Sequence, residues 1–194
     1  YALRAAQSLG GGSLRGLVGL DGIITQGNFS YINDQGTLFA GSEGDDERVA
    51  RLNNHSRQAS GILKVGWKPS KYFELKMLEL VMARLSGVPG LGVTQTSQTQ
   101  YERIRGLRGL SLRWQPRESD WKLALASHVS YGQSELQNPL GEVALARGSF
   151  QDEALSVGTR ATVDGMLEDT LFPSMDWMPQ MVAEVRYERF TPDA

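Results

Sequence analysis

The sequence predicts an all-β fold: an antiparallel, up-and-down transmembrane β-barrel segment of about eight strands, an open curved sheet cut from a larger barrel. Three observations predict it. Apolar residues recur with period two rather than 3.6. The alternating runs are about ten to eighteen residues long, whereas soluble strands usually hold five or six and a tilted membrane strand needs about nine to eleven. The connections alternate short and long, as in barrels with brief turns on one rim and external loops on the other.

Strands are expected near 2–9, 14–31, 50–67, 72–86, 101–115, 119–132, 153–165 and 176–190. Among the first four, Val18 and Leu20 mark the second. Leu63, Val65 and Trp67 alternate with Lys64 and Gly66 in the third, although Ile62 breaks the pattern. Phe73, Leu75 and Met77 alternate with Glu74 and Lys76 in the fourth. In the fifth, Ile104, Leu110, Leu112 and Trp114 alternate with Arg103, Arg105, Ser111 and Arg113, with Arg108 on the wrong face. The sixth is the clearest: Trp121, Leu123, Leu125, Val129 and Tyr131 against Lys122, Ala124, Ala126, His128 and Ser130. Leu155, Val157, Ala161 and Val163 carry the seventh, and Met181, Ala183, Val185 and Tyr187 the eighth. Tight turns fall at 10–13, 67–72 and 115–120, the last two containing Pro, which pre-sets a turn dihedral. Long polar stretches fall at 32–53, 86–100 and 132–152, and a longer link, 166–175, on the short side. Aromatics gather near the expected strand ends (Tyr31, Trp67, Phe73, Trp114, Trp121, Tyr131, Trp177, Tyr187), as interfacial girdles do.

Composition sets outer limits. The chain has 194 residues, with 20 Lys+Arg against 22 Asp+Glu and a net charge of −2. That balance excludes a non-specific nucleic-acid binder. The absence of Cys removes disulfide scaffolds, thiolate zinc and thiol catalysis together. A hydrophobic content of 40% suits a folded domain, and no run reaches the roughly 18 apolar residues of a membrane helix. A mean hydropathy of −0.32 therefore argues against helical spans only, because a barrel spreads its apolar residues over alternate positions. Residues 1–194 read as one partial barrel domain.

An ordered set of segments carries a resemblance. Gly27-Asn28-Phe29-Ser30-Tyr31-Ile32-Asn33-Asp34-Gln35-Gly36-Thr37 is followed by Asp45-Asp46, Arg51-Leu52-Asn53-Asn54, Gly61-Ile62-Leu63-Lys64 and Gly87-Val88-Pro89-Gly90. This set resembles TonB-dependent outer-membrane receptors, particularly vitamin B12-receptor-like members. The resemblance implies energy-coupled uptake of a scarce nutrient or metal chelate across the outer membrane of a Gram-negative bacterium. It implies a barrel of about 22 strands around a plug. The partners it implies are outer-membrane lipid, the rest of the same barrel and its plug, the TonB complex reached through that plug, and a small-molecule ligand. Nucleic acid is not among them, no organic cofactor is expected, and the segment is read as non-enzymatic.

Three groups of residues could carry chemistry. Asp34, Asp45 and Asp46, with Asn33, Glu43 and Glu47, place oxygen ligands in one loop that could bind calcium, which takes six to eight oxygens. The plain alternative is a solvated acidic loop. Arg103, Arg105, Arg113, Arg160 and Arg186 fall on the polar face, where they attract an anionic solute or pair with acids such as Glu74, Asp164, Glu184 and Glu188. His128 and Ser130 share that face and with Asp164 could form a hydrolytic triad, though no lipase-like motif surrounds them. The competing readings are a complete eight-stranded barrel, in the membrane or as a soluble ligand carrier, and an outer-membrane hydrolase. Pairing of the first strand with the last distinguishes a closed barrel from an open segment.

Overall fold

The computed structural model describes residues 1–27, 29–33, 47–90, 95–117, 119–143, 147–165 and 179–192. Among them there is no helix. The strands are β1 (Ala2–Gly11), β2 (Leu14–Thr25), β3 (Ser30–Asn33), β4 (Glu47–Ala50), β5 (Ser56–Ser70), β6 (Phe73–Gly87), β7 (Gln100–Trp114), β8 (Lys122–Asn138), β9 (Gly148–Asp164) and β10 (Gln180–Pro192). Eight form one antiparallel sheet in the order β1-β2-β5-β6-β7-β8-β9-β10, and β3 and β4 form a separate pair. β1 and β10 are the two edges and do not pair, so the sheet is open.

Four expected boundaries move. The strand expected over 14–31 leaves the main sheet at Thr25, and its partner rejoins at Ser56 rather than at 50. The reason is a double kink. Gly27 has φ +63° and Asn53 has φ 51°. A Cβ on Gly27 would collide with the Asn54 carbonyl, so the left-handed turn and the close approach both require glycine there. Beyond the kink the chain continues as the β3–β4 hairpin. The stretch expected as a long loop, 132–152, is mostly strand: β8 reaches Asn138 and β9 starts at Gly148. Gln133, Ser134, Glu135 and Gln137 put polar groups on both faces, so no apolar period marks the run. The backbone ladder continues regardless, and Ser149 Oγ donates to Glu135 at 2.6 Å across it. The link at 166–175 and Trp177 lie outside the described residues.

Register sorts the side chains, because directly paired residues share a face. One row runs Val18–Leu63–Glu79–Arg108–Val129–Val157–Tyr187 across β2 to β10. The row two residues nearer the short turns is Val65–Met77–Leu110–Ser127–Thr159–Val185. Every other residue expected on this face (Leu20, Leu75, Leu112, Leu123, Leu125) lies on it. The opposite face carries Arg4, Asp21, Lys64, Lys76, Arg103, Arg105, His128, Arg160 and Glu184.

The apolar face has nothing over it. Among the described residues no hydrophobic side chain is buried, and Leu110 and Val185 are 45% and 74% exposed. A soluble sandwich or closed carrier buries such a face in a core. Trp67 and Phe73 meet edge to face at the short-turn end (5.4 Å, 70°), beside Trp114, which pairs with Phe73. Trp121 lies at the same end, its ring against Gly165. Tyr131 and Tyr187 sit mid-strand instead and Tyr31 lies in β3, outside the main sheet, so among the described residues the expected aromatic cluster forms only at the short-turn end.

Candidate functional site

The sheet curls so that residues from all eight of its strands line one hollow of about 1230 Å³. Its lining includes Arg4, Asp21, Arg103, Arg105 and Glu188 from the polar face, together with Leu20, Tyr131 and Arg189 from the other. Ile62, Leu80 and Leu107 of the polar face are half-buried whereas Val81, Leu110 and Val129 of the apolar face are exposed, so the polar face is concave and the apolar face convex. Ile62, Leu80 and Leu107 pair in one row and form an apolar patch inside the hollow.

The concave arginines divide into two sets. Arg4 Nε reaches Asp21 at 3.0 Å, and Arg186 pairs with Glu188. Arg160 stands opposite Glu184, and Arg113 opposite Glu74, which also holds Lys76 at 2.9 Å. Arg103 and Arg105 have no acid opposite. Arg103 lies between Arg84 and Ser134, and Arg105 between Met82 and Gly132.

Arg108, on the convex face, stands directly opposite Glu79 and donates to its Oε1 at 2.8 Å. Period-two alternation alone puts this residue on the wrong face. The acid that answers it lies 29 positions earlier and becomes a neighbour only through the β6–β7 register.

His128 and Ser130 lie two residues apart on the concave face. The His128 imidazole covers Gly158, where any Cβ would strike the ring. Asp164 is six residues further along β9, about 20 Å away at roughly 3.4 Å per residue. It accepts a hydrogen bond from Gln180 Nε2 at 2.8 Å. The structure does not bring the three together.

At the long-loop end, three connections are tied by a polar knot that the sequence did not signal. Thr96, Thr99 and Asn138 are fully buried there. Asn53 Nδ2 donates to the Thr99 carbonyl at 2.6 Å and to Thr96 Oγ1 at 3.1 Å. Arg51 stacks over the Tyr31 ring at 5.0 Å and donates to the Gly90 carbonyl. Glu142 accepts from the backbone N–H groups of Ser97 (2.8 Å), Gln98 (3.0 Å) and Thr99 (3.1 Å), and from the Ser97 and Thr99 hydroxyls, both at 2.8 Å. The Gln98 N–H is the strongest single influence, and with the Ser97 and Thr99 donors it overrides desolvation to hold the Glu142 carboxyl down to about 2.

No protein-family model, curated protein or solved structure matches this chain. Function has to be argued from the two faces and the loop rim alone. Asp34, Asp45 and Asp46, the expected calcium ligands, lie outside the described residues. Among the described residues no group of three or more His, Asp or Glu side chains is placed to hold a metal.

The knot has a measurable pH dependence. A carboxyl whose folded value is lowered from 4.5 to about 2 contributes stability that is complete above pH about 4.5. The contribution is lost as pH falls through about 2. Amide exchange at Ser97, Gln98 and Thr99 is expected to be slow above pH 4.5, after correction for intrinsic rates, and to accelerate progressively below it. Glu142→Gln is expected to exchange faster throughout and to lose that pH dependence. Unchanged protection in the variant would show that Glu142 does not hold the loops.

Proposed function

We propose that the chain forms part of the wall of an outer-membrane β-barrel, with its convex face in lipid and its concave face on the lumen. The observation that carries this reading is the uncovered apolar face on the outside of the curl, backed by charge on the inside. A water-exposed sheet of this size would present far more than the few hundred Å² of contiguous apolar surface that soluble monomers tolerate. The apolar rows run from Phe73 to Val81 on β6, about 27 Å at roughly 3.4 Å per residue. That suits an outward apolar band about 25 Å tall. The aromatic cluster at the short-turn end sits where an interfacial girdle would. No helix among the described residues is long and apolar enough to cross a membrane, which leaves strands as the spanning elements of this reading.

The finer reading is a TonB-dependent receptor of the vitamin B12-receptor-like kind, taking up a small-molecule ligand. The loop motifs support it: Arg51, Asn53 and the Gly87–Gly90 segment are the residues that tie the long loops together. The unpaired edges β1 and β10 accept neighbouring strands of the same barrel, and the concave face accepts a plug.

Fractionation of the full-length protein, followed by capture on the periplasmic domain of TonB, tests both levels. Outer-membrane residence with capture supports the receptor. Residence without capture keeps the barrel wall and removes the receptor. Recovery in the soluble fraction removes both.

A further inference from the structure

Arg84, Arg103 and Arg105 stand together on the concave face, toward its long-loop end. Register places Arg84 directly opposite Arg103, and Arg105 is the next residue of β7 on the same face. Like charges directly opposite on paired strands destabilise a sheet. Elsewhere this face avoids that cost: Arg4 has Asp21, Arg186 has Glu188, and Arg160 has Glu184 across the ladder. Here none of the three guanidinium groups makes an ion pair or hydrogen bond with any described residue. Arg103 is nevertheless half-buried.

The surroundings suit a ligand rather than a missing acid. Gln58 flanks Arg84 in the same row, and Ser134 flanks Arg103 on its other side. Both offer neutral donors. Gly132, opposite Arg105, has no side chain to fill the space. The carboxylate on the row is Asp152, which stands beyond Ser134, two strand spacings or about 10 Å from Arg103. Arg103, Arg105, Ser134 and Asp152 line the hollow, and Arg84 and Gln58 line a smaller one of about 540 Å³.

We propose that Arg103 and Arg105, with Arg84 directly opposite Arg103 on the ladder, form an oxyanion site for the phosphate or carboxylate groups of a small multivalent solute bound in the hollow that Arg103 and Arg105 line. Guanidinium forks match both groups bidentately, and side chains that start directly opposite each other on paired strands are close enough for both to reach one anion. A bound anion removes the repulsion that the empty site carries. The hollow, at about 1230 Å³, has room for such a solute. The site rests on the concave face lining the lumen, with any plug leaving the long-loop end of that face clear, and does not depend on coupling to TonB.

Calorimetric titration of the full-length protein in detergent, at low ionic strength, tests the site with inorganic pyrophosphate and citrate as probes. Saturable binding of at least one is expected, and the preferred probe tells phosphate from carboxylate recognition. Arg84→Gln and Arg103→Gln are each expected to weaken binding roughly tenfold or more. Neither should lower the Tm of the unliganded protein, because each relieves a like-charge contact. Arg160→Gln, on the same face but with an acid opposite, should leave affinity within about twofold. Binding of neither probe overturns the proposal. So does an equal loss in Arg160→Gln, which would mean a diffuse positive field, and so does a fall in Tm in both cluster variants, which would mean a structural role. A protein that inserts in the outer membrane but binds neither anion removes this site alone. A protein that does not insert removes the barrel wall and, with it, the lumen on which the site depends.

Discussion

Leu110→Arg is expected to destabilise the membrane-inserted protein by about 2–4 kcal/mol, the cost of a cation near the lipid midplane of a barrel. Leu110 lies in the second row described above, between Met77 and Ser127, midway along the apolar band and open on the convex side. Ser130→Arg places the same charge on the other face, beside Leu107 and Ser156, where it meets the lumen. That variant should fold and insert within about 0.5 kcal/mol of wild type, as surface substitutions usually do. Urea unfolding of both variants in the same vesicles reads the difference. If the two variants suffer equally, the faces are not divided between lipid and water.

The Glu79–Arg108 pair gives the second large effect, and its size reports the medium around the convex face. In water an exposed pair of this kind contributes about 0–1 kcal/mol, so Glu79→Leu would be nearly silent. In lipid, Glu79→Leu leaves Arg108 as an unpaired cation within the apolar band. The expected loss is then about 2–4 kcal/mol, like that of an arginine introduced there. The double variant Glu79→Leu/Arg108→Leu should recover most of it, because removing both charges also removes the desolvation that the pair has to offset. A double-mutant cycle in vesicles gives the coupling directly. A small single-variant effect with no recovery in the double would place this face in water.

How much of this was legible in the sequence follows from what period-two reading can detect. It finds a strand when one face is apolar and the other polar, so β6, β7 and the first half of β8 were readable from Phe73, Leu110, Leu123 and their neighbours. It fails where both faces are polar, and the end of β8 through Gln133, Ser134 and Glu135 therefore reads as loop. It also cannot find a kink set by contact between distant residues: Gly27 gives way because Asn54 arrives against it, and neither residue alone shows this. The composition of the polar face was legible, but its partnerships were not. Whether an arginine meets an acid depends on register, which is why Arg160 and Arg103 look equivalent in sequence and differ in the sheet. Glu142 was missed for a related reason. Its five donors come from residues 97–99, more than 40 positions away, and a single glutamate in a Gly- and Pro-containing loop carries no distinctive pattern. Pro139 and Gly141, turn-forming residues, lie in the segment that presents it.

The chain has no cysteine, so single cysteines can be placed along β8 without a background. Labelling of Leu123→Cys, Ala124→Cys, Leu125→Cys, Ala126→Cys, Val129→Cys and Ser130→Cys, each in lipid vesicles, with a small membrane-impermeant thiol reagent tests the division of the two faces most directly. The account predicts an alternation of period two: positions 124, 126 and 130 react, and positions 123, 125 and 129 are protected until detergent replaces the lipid. Reaction at positions 123, 125 and 129 in intact vesicles would contradict it.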